Sequence, residues 1–252
     1  MEEKRQPMPP RHPAHVLAKM EKRRRMIRTV LLCLPVIALS VVLGIWIGSN
    51  SGKPETTTPP EPWKTNILRS DEIPRDSDGS YVISSNIYSV FGSDYERLQI
   101  SAVTFLDTLS GAPVDAWDVS EAGDGSVMAW VEPDSELYRL TIAGKGGVSA
   151  GTSCRDLFSG YENMTRISFG GNFHTEAVQD MSRMFYFCSS LTSLDLSSFD
   201  TAAVQDMNRM FLYCQSLTSL DLSEKFVTTN ADTIHMFYDC PVGEEYQHLL
   251  NE

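Results

Sequence analysis

Histidine and cysteine are scarce in this chain, with five of each in 252 residues. The histidines, His12, His15, His174, His235 and His248, are scattered, and none stands beside a cysteine at a spacing that suggests a nucleophile or a metal site. HExxH, a nucleophile elbow and a phosphate-cradling glycine loop are all missing. The chain is therefore read as non-enzymatic, with no catalytic residues, no cofactor and no metal. Positive charge is also short over most of the length. Residues 29–252 carry twelve Lys/Arg against thirty Asp/Glu, a balance of −18. That argues against nucleic acid as a partner, because phosphate contacts need clustered cations. Composition is otherwise globular, at 42% hydrophobic and 21% charged, which excludes wholesale disorder.

One stretch lacks charge altogether. Thr29 to Ile47 is nineteen uncharged residues, about 28 Å of helix against a hydrocarbon core of roughly 30 Å. Lys22, Arg23, Arg24, Arg25 and Arg28 precede it directly, and the positive-inside rule then places the N-terminus in the cytoplasm. This reading gives a basic cytoplasmic tail at 1–28 and a single transmembrane helix at 29–48, which meets the lipid bilayer through residues 29–47. The localisation that follows is the cell membrane, single-pass, with the body outside. Residues 49–80 are rich in Pro, Thr and Ser and predict an extended, disordered stalk. Residues 81–153 switch to short apolar runs separated by Asp/Gly turns, such as Leu98–Leu106, Val127–Val131 and Leu137–Ile142. They predict a β-rich module of hairpins packed around Trp117 and Trp130.

The remaining body repeats itself. VQDMSRMFYFCSSLTSLDL from Val178 recurs as VQDMNRMFLYCQSLTSLDL from Val204, a shift of 26. Met184, Phe185 and Cys188 map onto Met210, Phe211 and Cys214, then onto Met236, Phe237 and Cys240. A degenerate copy lies upstream, with Tyr161 in the cysteine's place. Met181, Met184, Phe185 and Cys188 stand at i, i+3, i+4 and i+7, which predicts one face of a short helix, with Asp180 as its N-cap. Leu191, Leu194 and Leu196 predict a brief strand. A helix and a strand every 26 residues predict stacked leucine-rich-repeat coils over 154–240, followed by a C-terminal tail at 241–252. The cysteines read as small buried hydrophobes, with a disulfide between neighbouring coils as the alternative. Asp180, Asp206 and Asp232 read as caps, with calcium binding as the alternative.

MFYFCSSLTSLDLSSFDTAAVQDM and its copy resemble the 26-residue repeat of BspA-like leucine-rich repeat surface proteins, and AWDVSEAGDGSVMAWV and LYRLTIAGKGGV resemble the module that often leads into it. The fold class that follows is α/β: one N-terminal transmembrane helix, a disordered stalk, and a small β-rich module capping a short solenoid. The resemblance implies a bacterial cell-surface protein, adhesin-like, that binds an extracellular protein or glycan partner. A structural envelope protein or transmembrane regulator is the alternative. With no wall-sorting signal after Leu249 and Leu250, attachment is expected to rest on the span at 29–47. Strand register puts Arg166, Ser168, Ser193, Asp195, Ser197, Ser219, Asp221 and Ser223 on the concave face as the candidate binding residues.

Overall fold

The computed structural model describes residues 61–73 and 89–250. The transmembrane helix expected at 29–48 and the basic tail lie outside them. Among the described residues no helix is long and apolar enough to cross a membrane.

Nine short strands carry the architecture: β1 Ile100–Leu106, β2 Trp117–Asp118, β3 Val127–Asp134, β4 Leu137–Gly144, β5 Val148–Ser149, β6 Arg166–Ser168, β7 Phe173–His174, β8 Ser193–Leu196 and β9 Ser219–Leu222. They form one five-stranded sheet in the order β2-β3-β4-β1-β6 and two separate pairs, β5-β7 and β8-β9. β3 and β4 make the expected hairpin, pairing from Val127↔Gly144 to Asp134↔Leu137. β1 instead runs parallel to both its neighbours, β4 and β6. Ile100, Ala102, Val103 and Phe105 are all buried, as a central strand covered on both faces requires. Trp130 is buried with them, and Trp117 is half-buried beside Tyr95.

Two parts of the expected architecture are overturned. The first is the α/β solenoid of helix–strand coils: the described residues contain strands, 3-10 turns and irregular turns but no α-helix, and the sheets are open. Met181, Met184, Phe185 and Cys188 are fully buried, as the periodicity suggested. The backbone beneath them is not helical. Arg183 and Phe187 have φ of 55° and 59°, and Arg209, Tyr213, His235 and Asp239 repeat the pattern. A left-handed residue at every fourth position stops a right-handed helix from propagating. The N–H groups of Met184, Tyr186 and Cys188 close i→i−3 turns at 3.0–3.2 Å. Those of Arg183, Phe185 and Phe187 instead leave the segment and donate to the carbonyls of Asn208, Met210 and Leu212 in the next copy, at 2.9–3.0 Å. Arg209, Phe211 and Tyr213 donate in the same way to Ile234, Met236 and Tyr238. Half the bonds of a helix have been exchanged for bonds between copies.

This backbone makes a prediction that separates the two conformations. Arg183→Gly should cost about 1 kcal/mol in a helix. At φ 55° it should be neutral or stabilising by roughly 0.5–1 kcal/mol, because glycine carries no Cβ penalty there. A thermal melt of the full-length variant beside the parent reads the sign.

The second correction concerns the stalk. Residues 61–73, placed in it by composition, are folded onto the body. Ile67 bridges to Ser149 and Leu68 to Ser120. Asn66 is buried and donates to the carbonyls of Lys145 and Gly147. Leu68 and Ile73 join the core, and Trp63 stacks on His174 with centroids 4.1 Å apart. A few apolar side chains suffice because the surface they cover is already built.

The core runs along the copies as a file of rings. Phe158, Phe185, Phe211 and Phe237 follow one another at 5.7, 5.7 and 5.2 Å, stacked nearly parallel from Phe185 onward. Leu191, Leu194 and Leu196 pack on the strand side.

Candidate binding surface

The strand register places the predicted residues largely as alternation dictates. In β6, Arg166 and Ser168 are exposed around a buried Ile167, and in β8 Ser193 and Asp195 are exposed around a buried Leu194. β8 and β9 pair residue for residue, Ser193↔Ser219 and Asp195↔Asp221. β6 belongs to the five-stranded sheet, however, so the row is not one continuous ladder.

Three of the eight residues meet. Ser168, Asp195 and Ser197 line an open concavity of about 410 Å3, with Ile167 and Phe169 at its base and Gly170 and Gly171 along one side. Both glycines have left-handed φ, 56° and 73°, a turn that other residues rarely adopt. The Asp195 carboxylate accepts the Ser197 N–H at 2.9 Å. The Ser197 hydroxyl and that N–H hold its carboxyl below the ordinary value against a slight opposing effect of burial. Arg166, Ser193, Ser219 and Asp221 lie outside the concavity. Ser223 is half-buried and donates to the Phe199 carbonyl at 3.2 Å, which makes it a structural tie between copies.

The two side-chain ladders are explained by the fold. Cys154, Cys188, Cys214 and Cys240 are free and buried. The thiols of Cys188 and Cys214 donate to the carbonyls of Phe158 and Phe185 at 3.1 Å. Burial pushes Cys188 up to about 12, Cys240 to about 11 and Cys214 well above the ordinary value, so none offers the thiolate that a nucleophile or metal ligand needs. Asp180, Asp206 and Asp232 each accept the N–H two residues on, from Ser182, Asn208 and Ile234. Arg155 spans the first two carboxylates at 2.7 and 3.6 Å. Among the described residues no cluster of three or more His, Cys, Asp or Glu could hold a metal ion.

Sequence reasoning missed a second feature, a row of rings on the turn segments in which Tyr186, Phe187 and Tyr213 are half-buried. Tyr186, Phe187, Tyr213 and Tyr238 contact one another along the copies, and Tyr238 is 57% exposed. A helical register hid these rings. The signal that could have revealed them is the recurrence of an aromatic at 187 and 213 and at 186 and 238, just outside the buried set.

Residues 152–246, which span the stacked copies, match a family described as Mycoplasma protein of unknown function, DUF285. No curated protein and no solved structure matches the chain.

Proposed function

We propose that this chain is a non-enzymatic surface protein, held in the membrane by residues 29–47, whose stacked copies bind an extracellular protein or glycan in the manner of BspA-like adhesins. The observation that supports this reading is the parallel register of β8 and β9. Ser193 and Asp195 stand beside Ser219 and Asp221, so exposed side chains recur in fixed rows on a packed scaffold, which lowers the ordering cost of binding. The concavity at Ser168, Asp195 and Ser197 lies at the end of those rows. Phe169 at its base supplies apolar surface beneath a polar rim.

The test uses the full chain reconstituted in lipid discs, applied to an array of extracellular-matrix proteins and glycans. A second sample carries Arg166→Glu, Asp195→Lys and Asp221→Lys. A partner bound by the first and lost by the second supports the reading. Absence of any specific partner overturns it in favour of a structural envelope protein.

A further inference from the structure

Through the turn segments, the hydrogen bonds between copies run in one direction. The N–H groups of Cys154, Asp156, Phe158 and Gly160 donate to the second copy, those of Met181, Arg183, Phe185 and Phe187 to the third, and those of Met207, Arg209, Phe211 and Tyr213 to the fourth. The fourth segment accepts at Asp232, Ile234, Met236 and Tyr238 but passes nothing on. The N–H groups of His235, Phe237 and Asp239, which continue the donor row, find no acceptor among the described residues. After Cys240 the chain enters the 3-10 turn Pro241–Glu244 rather than another such segment. The opposite end of the stack is closed by the Arg97 guanidinium, which donates to the Ser159 carbonyl at 2.7 Å. The two ends therefore differ, and the fourth segment offers a row of unmet backbone donors, a template for pairing with another chain.

The side chains along this edge are apolar and acidic. Ile234 stands where the earlier copies have Ser182 and Asn208, and it is 54% exposed. Tyr238 is 57% exposed, whereas Leu212 at the same position of the preceding copy is 8% exposed. Residues 231–250 hold Asp232, Asp239, Glu244 and Glu245 but no lysine or arginine, and His235 replaces the Arg183 and Arg209 of earlier copies. Phe237, Asp239, Glu244, Gln215 and Gln247 border an open concavity of about 380 Å3 at one end of the row. At the other end lies Asp232, the third rung of the aspartate ladder. Arg155 spans the first two rungs, Asp180 and Asp206, at 2.7 and 3.6 Å, while Asp232 is exposed and pairs with no cation among the described residues. The fold thus already contains an example of the contact that Asp232 lacks.

We propose that this edge takes up a basic peptide segment of a partner protein. Alternate carbonyls of the partner's backbone accept from His235, Phe237 and Asp239. One of its basic side chains lies against Asp232, as Arg155 lies against Asp180 and Asp206, and another enters the concavity at Asp239 and Glu244. Main-chain bonds of this kind supply affinity, and the flanking side chains supply selectivity. Two of these edges cannot pair with each other, because each offers only donors, which excludes a symmetric dimer through this row. A row of N–H groups also suits an anion, but the four carboxylates around it repel one. An acceptor backbone carrying positive side chains meets both requirements at once. The inference adds a second surface to the reading above and does not use Asp195.

The test is titration of the full chain in lipid discs with a short alternating Arg-Val peptide, a Glu-Val peptide of equal length, and spermine. The Arg-Val peptide should bind best, and added salt should weaken it. Hydrogen exchange at the amides of His235, Phe237 and Asp239 should slow in its presence and not with spermine. Asp232→Asn and Asp239→Asn should each weaken binding roughly tenfold, the loss of one charge-assisted contact. Asparagine keeps an oxygen for the Ile234 N–H or the Gln215 amide, so thermal melts of both variants should match the parent within a few degrees. Glu244→Gln, in the exposed tail, gives a third reading of the same charge effect. Failure of the Arg-Val peptide to bind overturns the proposal, as does equal binding of the Glu-Val peptide or spermine. Peptide binding that leaves exchange at those three amides unchanged also overturns it. So does protection that grows with protein concentration in the absence of peptide, which would place a second copy on the edge. If an array partner is lost with Arg166→Glu, Asp195→Lys and Asp221→Lys while the three amides never respond to the peptide, this inference fails and the reading above stands.

Discussion

Replacing Arg97 by Met should destabilise the body by about 3–5 kcal/mol, the usual result of breaking a buried ion pair from one side. Arg97 is only 1% exposed. One guanidinium nitrogen donates to the carbonyls of Asp156 and Ser159 at 2.8 and 2.7 Å. The other donates to the Asp71 carbonyl and lies 3.1 Å from the Asp71 carboxylate. Its position explains why a charge is buried there. Further along the stack, the carbonyls of Met184 and Tyr186 receive N–H groups from Phe158 and Gly160 of the copy before. The first copy has no predecessor, and the guanidinium donates to Ser159, the counterpart of Tyr186. It closes the end of the stack while tying segment 61–73 to it.

The loss should also depend on pH. Burial holds the Asp71 carboxyl above its ordinary 3.8, although Arg97 pulls it down. Without Arg97 it rises further. A carboxyl with a raised folded-state value keeps a proton that the unfolded chain has released, so its buried charge costs most above the folded value and nothing below 3.8. The Arg97→Met penalty should therefore shrink as pH falls from neutral toward 3.8. Urea unfolding of the full chain at several pH values, followed by tryptophan fluorescence, measures both effects. A penalty that is independent of pH would remove Asp71 from the account.

These residues also mark what the sequence could and could not disclose. The alternation of Leu191, Leu194 and Leu196 announced a strand with two buried leucines, and both Leu194 and Leu196 are buried in β8. The spacing of Met181, Met184, Phe185 and Cys188 announced one buried face equally well. Spacing does not distinguish a helix from a chain of turns that presents the same residues inward. The difference lies in φ at Arg183 and Phe187, residue types that give no signal of left-handed backbone. Hydrogen bonds to the next copy, twenty-five residues away, outweigh that local preference. The parallel pairing of β1 with β6, Ala102↔Arg166, spans a long crossover that no local pattern encodes. Of the candidate site, exposure at Ser168, Asp195 and Ser197 followed from alternation. The glycine turn beside them and the tyrosine row did not, since both depend on where the chain bends.

Phe211→Ala should be nearly as damaging as Arg97→Met, at about 3–5 kcal/mol, whereas Phe211→Leu should cost roughly 1.5 kcal/mol or less. Phe211 is fully buried at the centre of the ring file, 5.7 Å from Phe185 and 5.2 Å from Phe237. Alanine leaves a void between two rings that the inter-copy hydrogen bonds hold apart, so the gap cannot readily close. Leucine refills most of the volume and loses mainly the stacking geometry. The location of the damage is as informative as its size. Tyr246 stacks on Phe237, and its hydroxyl donates to the Leu220 carbonyl, so the segment after Cys240 depends on the same file. Hydrogen exchange should show the amides of Phe211 and Tyr213, which donate to Met236 and Tyr238, losing protection first. Those of Asp156 and Phe158, which donate to Ser182 and Met184, should stay protected. If protection fell equally at both ends, the copies would unfold as one cooperative block and the file would not be transmitting the defect from neighbour to neighbour.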